Sequence, residues 1–138
     1  MRQLHERVLS RVGEPVIGIL GVTYKENTHS IKNSPAVALI KELASCRLRV
    51  FDPAVRASAE WHPRMTLTGE ALAPCDGADA IVIMTPWPEF RALKPGDIAR
   101  RLCGRVVIDP FSMLDRAATA AAGLGLVSRI SIGRRRAR

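Results

Sequence analysis

Three cysteines in 138 residues, an odd number with no CxxC and no histidine at ligand spacing, provide neither a disulfide framework nor a zinc site. Cys46, Cys75 and Cys103 each sit beside apolar residues and read as small hydrophobes. No apolar run approaches the roughly 18 residues of a membrane-crossing helix. The N-terminus, Met1-Arg2-Gln3-Leu4-His5-Glu6-Arg7, lacks the apolar centre of a secretion signal, so a cytoplasmic location is expected. Aromatic residues make up only 4% of the chain. That is few for a module that stacks nucleic-acid bases, and no nucleic-acid recognition motif is present. Acids are also scarce: 13 against 21 lysines and arginines, for a net charge of +8. Such an excess favours an anionic partner. The last ten residues, however, hold five arginines and no acid, which leaves the body only mildly basic. What is present, 47% hydrophobic and 25% charged residues, is the composition of one globular domain with a sizeable core.

The apolar pattern alternates between strands and helices. Leu4, Val8 and Leu9 share a helical face, which predicts a short helix over residues 1–12. Val16 to Leu20 is a continuous apolar run, as expected of a strand buried on both faces of a parallel sheet. A polar loop over 21–33 follows. Ser34-Pro35 then starts a helix with a side-chain cap and a proline in the first turn, and Val37, Leu39, Ile40 and Leu43 mark its buried face over about 35–45. Further strands are expected at 48–51, 65–67, 80–84, 106–108 and 126–132. Helical crossovers are expected around Ile98 and Leu102, and over 113–122. Strands alternating with helices predict an α/β fold: a Rossmann-like, open, mainly parallel sheet with helices on both faces, in a single domain.

In such sheets ligands bind beyond the carboxyl ends of the strands, where strand order reverses. The candidate loops are therefore 21–33, Asp52-Pro53, Thr85-Pro86-Trp87 and Asp109-Pro110-Phe111. The first carries Tyr24, Lys25, Thr28, His29 and Lys32 and runs into a helix N-terminus, whose dipole and free amides suit a phosphate. Gly18-Ile19-Leu20-Gly21 lacks the third glycine of a dinucleotide fingerprint. Its glycines read equally well as devices for close packing and a turn. Asp52 reads as a solvated strand-end carboxylate, and Asp79 and Asp109 as turn or cap residues. Trp87 and Phe90 read as core or lid anchors. His5, His29 and His62 have no partners and are expected at the surface.

At the first loop the chain resembles a known family. Leu20-Gly21-Val22-Thr23-Tyr24-Lys25, then Thr28, then Lys32-Asn33-Ser34-Pro35-Ala36 is similar to the pattern L-G-x-[AS]-[FY]-K-x-x-T-x-D-x-R-x-S-P-A. That pattern opens the C-terminal, UDP-binding domain of UDP-glucose/GDP-mannose dehydrogenases. Val50-Phe51-Asp52-Pro53, Ala78-Asp79-Ala80 through Thr85-Pro86-Trp87-Pro88-Glu89-Phe90, Val107-Ile108-Asp109 and Ser131-Ile132-Gly133-Arg134 match further landmarks in register. The resemblance implies residues 1–13 as the end of a linking helix and 14–133 as a nucleotide-sugar-binding domain, while the arginine-rich composition of 134–138 reads as a basic, disordered tail.

The enzymes of this family oxidise the C6 alcohol of a UDP-sugar or GDP-sugar to the carboxylate with NAD, which is bound mainly by an N-terminal domain. This chain has no G-x-G-x-x-G loop and no cysteine in the family's G-G-x-C-x-P-K-D context. The resemblance therefore implies no catalytic residue and no metal here, and a need for the missing N-terminal segment or a partner chain. By the same resemblance Tyr24, Lys25, Thr28 and Arg134 touch the substrate, and Lys32, in the place of an arginine, faces the cofactor side. Lys32 keeps the charge but loses the bidentate fork. Ser30 replaces the usual aspartate, and Phe111 stands where many members carry an arginine. Without the resemblance, Lys25 is a solvated charge and Tyr24 a packing residue. The competing reading is a non-catalytic interaction or nucleic-acid-binding remnant that uses the basic tail.

Overall fold

A computed structural model describes residues 13–23, 25, 30–55 and 61–127. The apolar run Val16–Leu20 forms β1, and Ser34 initiates α1 at Pro35–Glu42. The strands Arg47–Phe51 (β2), Met65–Leu67 (β3), Ala80–Ile83 (β4), Val106–Ile108 (β5) and Gly125–Val127 (β6) follow, with α2 at Pro95–Arg101 and α3 at Arg116–Ala121. Two 3-10 turns, Ala73–Cys75 and Pro88–Ala92, sit either side of β4. The six strands form one sheet in the order β3-β2-β1-β4-β5-β6, and every pairing is parallel. Ile17 pairs with Leu48 on one side and with Ala80 on the other. The order reverses between β1 and β4, and this places the crevice.

Both faces are filled at the centre of the sheet, because β1 and β4 are apolar at every position. On one face Ile17, Ile19, Leu48, Val50 and Val82 pack with Ala36, Leu39, Ile40 and Leu43 from α1 and its end. On the other Leu20, Ile81, Ile83 and Val107 pack with Phe90, with Ile98 and Leu102 from α2 and its end, and with Leu124. Phe51 meets Phe90 edge-on at 6.3 Å, tying the end of β2 to the turn after β4.

Several boundaries differ from the sequence reading. α1 stops at Glu42 rather than near residue 45, because Leu43 leaves helical geometry while its N–H still bonds back to Leu39 and Ile40. α3 starts at Arg116 rather than near 113, because Asp115 caps it and Met113 and Leu114 give their N–H groups to Asp109. The expected helix over 1–12 and the end of the last strand, 128–132, lie outside the described residues.

Three residues depart from the environment expected of them. His62 is buried, its Nδ1 accepting the Arg64 N–H at 2.9 Å, which leaves Nε2 to donate to the Leu43 carbonyl at 2.7 Å. The local sequence Trp61-His62-Pro63 carries no sign of that long-range bond. Cys103 is exposed, unlike Cys46 and Cys75, because it follows the end of α2 in an open turn. Asp52 is not a solvated aspartate, for reasons that belong to the site. His5 and His29 lie outside the described residues.

The two glycines of Gly18-Ile19-Leu20-Gly21 act through space rather than through phosphate. A Cβ on Gly18 would collide with the Ile81 side chain and the Pro74 carbonyl, so the 3-10 turn packs directly on the bare strand. Gly21 has φ +98°, and a Cβ there would lie 2.7 Å from the Thr85 nitrogen.

Gly18→Ala is expected to lower stability by about 1–3 kcal/mol through overpacking. Gly96→Ala in α2, where the nearest atom stands at 3.8 Å, is expected to leave it unchanged or raise it by up to about 1 kcal/mol. Urea unfolding of the pair measures both, and an unshifted midpoint for Gly18→Ala would contradict the packing.

Candidate functional site

The crevice lies at the carboxyl ends of β1, β2 and β4, and its framework is a set of side chains bonded to backbone. The Asp52 carboxylate, just past β2, accepts the N–H groups of Val22 at 2.6 Å and Thr23 at 3.1 Å on Oδ2. The same oxygen takes the Trp87 indole N–H at 3.2 Å, and Oδ1 takes the N–H groups of Ala54 and Val55 at 2.8 and 3.0 Å. One side chain thus joins the loops after β1, β2 and β4. An anionic acceptor bonded to several N–H groups makes strong, charge-assisted bonds.

Two hydroxyls complete the clamp on the first loop. Thr85 Oγ1 donates to the Thr23 carbonyl at 2.9 Å, and Ser34 Oγ donates to the Val22 carbonyl at 2.6 Å. Thr23 Oγ1 in turn donates to the Lys25 carbonyl at 3.0 Å. The backbone beneath Lys25 is therefore held from β2, β4 and α1 while its side chain stands in solvent. On the far side of Asp52 a groove of about 490 Å³ runs along the ends of β2 and β3, lined by Phe51, Asp52, Pro53, Val55, Leu67 and Thr68.

The helix N-terminus does not offer the open anion cradle that the loop suggests. Ser34 Oγ already accepts the N–H groups of Ala36 and Val37, Pro35 has none, and the Ala38 N–H bonds to the Ser34 carbonyl. The first turn of α1 is satisfied internally. Attraction for an anion at this edge falls instead on side chains, and Lys25 and Lys32 are both exposed there. Lys32 precedes Asn33, whose φ of 60° turns the chain into the cap. Tyr24, Thr28 and Arg134 lie outside the described residues.

The remaining candidates divide clearly. Asp79 accepts the Val16 N–H at 2.8 Å, and buried Asp109 accepts the Met113 and Leu114 N–H groups on its two oxygens, so both are structural as expected. Trp87 and Phe90 are buried in the core. Phe111, by contrast, is 42% exposed just beyond β5. Burial pushes the thiols of Cys46 and Cys75 up. That of Cys75 goes from 9.0 to about 12, with Asp76 beside it adding to the rise. Neither is a thiolate near neutrality. Among the described residues no group of three or more His, Cys, Asp or Glu could hold a metal ion, and no helix is long and apolar enough to cross a membrane. The Asp52 hub is the feature that sequence reasoning missed. A polar side chain directly after an apolar strand and before proline is the only local signal, and it does not reveal the donors.

Residues 18–116 match the model of the UDP-glucose/GDP-mannose dehydrogenase family, UDP binding domain. The chain belongs to this family. It is 34% identical over 104 residues to the UDP-glucose 6-dehydrogenase of Rickettsia conorii, a match covering 72% of this chain and 24% of that protein. It is 29% identical over 106 residues to the UDP-N-acetyl-D-mannosamine dehydrogenase of Pyrococcus horikoshii, covering 75% and 23%. The solved UDP-D-ManNAc dehydrogenase structure from the same organism superposes with a TM-score of 0.70 at 26% identity, over 91% of this chain and 28% of that one. A UDP-glucose dehydrogenase from Pyrobaculum islandicum shares the fold at TM-score 0.64 and 23% identity, over 93% and 28%. The chain thus spans about a quarter of the length of the relatives it matches. Within the family it corresponds to the C-terminal, UDP-binding domain.

Asp52→Asn replaces one acceptor oxygen by a donor, which cannot face the N–H groups that Asp52 now binds. It is expected to cost about 1–3 kcal/mol and to speed amide exchange at Val22 and Thr23 relative to the β1 positions before them. Uniform exchange across these positions would remove the hub role. Cys75 resists ionisation when folded but ionises freely when unfolded. The folded state therefore holds its proton longer, and stability should fall as pH rises from 9.0 toward about 12. Urea titrations of wild type and Cys75→Ala across that range isolate this contribution.

Proposed function

We propose that this chain is the nucleotide-sugar-binding domain of an NAD-dependent UDP-sugar 6-dehydrogenase of the UDP-glucose type, and that alone it does not oxidise its ligand. The observation that carries the reading is the family match across the loop after β1, with Lys25 exposed at the point where strand order reverses. A lysine ammonium there suits the diphosphate or the developing uronate, while Asp52, Thr85 and Ser34 hold the Val22-Thr23 backbone and Thr23 in turn bonds the Lys25 carbonyl. In this reading Tyr24, Thr28 and Arg134 join Lys25 on the substrate, and residues 14–133 make up the binding unit. Lys32 contributes charge toward the cofactor side.

The residues present do not fit NAD. The loop after β1 has no third glycine, and Asp52, where a dinucleotide-binding domain offers a carboxylate to ribose, has both oxygens occupied by N–H groups. Cofactor and nucleophile therefore belong to a segment or partner chain that this chain does not supply. Its own residues hold the anionic part of the ligand at a rigid edge and leave the sugar facing outward. Phe111 in place of the arginine that many members carry removes one hydrogen-bonding group from the sugar's surroundings and leaves an exposed ring.

Calorimetry with UDP and UDP-glucose should show 1:1 binding, weakened about 10- to 100-fold by Lys25→Ala, as expected for loss of a charge-assisted bond. No heat with any UDP or GDP ligand would refute the reading. Removing residues 134–138 should leave UDP binding in place, whereas retention on RNA that vanishes with the tail would favour a basic remnant. NAD reduction should appear only when the missing dehydrogenase segment is supplied.

A further inference from the structure

The sheet carries a second basic feature at its opposite end. β2 alternates, so Leu48 and Val50 point into the α1 core while Arg47 and Arg49 share the other face. Thr66 of β3 pairs with Arg49 in register. Among the described residues no helix covers that face, since β3 connects to β4 through a loop whose one described helical element is the 3-10 turn Ala73–Cys75. The result is a groove of about 410 Å³ floored by the start of β2 and β3 and walled by Arg64 and by Asp76-Gly77.

Its charge is unbalanced. Glu14 serves two arginines, lying 3.0 Å from Arg64 and 3.9 Å from Arg47, and Asp76 pairs with Arg101 at 3.3 Å. Arg64 is further committed to the Ser45 carbonyl at 3.0 Å. Arg49 is half-buried, and its Nε is aimed by the Ala73 carbonyl at 3.3 Å. No carboxylate among the described residues lies within ion-pair distance of it. Among the described residues that line the groove, Arg47, Arg49 and Arg64 stand against one carboxylate, Asp76, and Arg49 has no ion-pair partner there. A planar guanidinium fork is matched to a phosphate's oxygens.

We propose that this groove is a second anion site, taking a phosphate or diphosphate group on Arg49 and Arg47 with Thr66 as hydroxyl partner, separate from the Lys25 crevice at the other end of the strands. The proposal is independent of the nucleotide-sugar reading, since none of its residues belongs to that crevice. The site would take free phosphate or the phosphate of a small metabolite by the same chemistry.

The test is an NMR titration of the full chain with inorganic phosphate, pyrophosphate and a sugar phosphate at low ionic strength. It follows the Arg Nε–H signals and the Thr66 and Gly77 amides. Saturable shifts at Arg49, Thr66 and Gly77 are expected with all three probes if phosphate is the recognised group, and with pyrophosphate alone if a diphosphate is. Those shifts should persist in Lys25→Ala, weaken about tenfold or more in Arg47→Gln/Arg49→Gln, and stay unchanged in the exposed control Arg105→Gln. Arg49→Lys, which keeps charge and stem, should weaken binding several-fold if the fork matters, and it supplies the answer should the double variant fail to fold. Absent or linear shifts at these positions, loss of the shifts in Lys25→Ala, or tighter binding of an acidic peptide than of any phosphate would each overturn the proposal.

Discussion

The carboxylate of Asp52 is the constraint on which the carboxyl edge of this sheet depends. Five N–H groups from three separate loops converge on two oxygens. In a parallel sheet the loops at this edge have no ladder partners beyond the last strand residues, so their donors must be satisfied by side chains or water. Asp52 satisfies five at once, and the geometry of the edge follows. The loop after β1 is drawn toward β2, the indole of Trp87 is drawn over the same carboxylate, and the chain beyond Asp52 is turned by its own Oδ1.

This arrangement separates two demands that a binding edge makes. The backbone of Val22 and Thr23 is held by Asp52, Thr85 and Ser34, while Lys25 and Lys32 are exposed. The same sharing of groups explains why the N-terminus of α1 is closed. The hydroxyl oxygen of Ser34 accepts the Ala36 and Val37 amides and its proton goes to the Val22 carbonyl, so one residue caps the helix and fixes the loop. The first turn of α1 therefore offers no bare amide at Ala36, Val37 or Ala38. The chain spans about a quarter of the length of the relatives it matches.

Much of this was legible in the residues. The unbroken apolar run of β1, the four apolar positions of β4 and the Ser34-Pro35 start of α1 are local signals, and each produced the expected element. Parallel order follows from strands that alternate with crossovers too long for hairpins. The roles of Asp79 and Asp109 as structural residues were also readable from their places at strand boundaries. Expectation and structure part where a residue's environment is set by distant chain. His62 is held by the carbonyl of Leu43, nineteen positions away, and Cys103 is left out of the core by the way α2 ends.

Local sequence determined which segments are strands and helices, the family they belong to, and the presence of a lysine at the switch point, because periodicity, capping and motif spacing are properties of neighbours. Only the tertiary structure decided that Asp52 is a hub for three loops, that the helix end is already capped, and that Arg47 and Arg49 share a face over which no helix lies among the described residues. Those facts depend on which N–H groups, carbonyls and charges arrive from far along the chain. Hydrogen bonds and desolvation act on distances in space, and a one-dimensional pattern does not contain them.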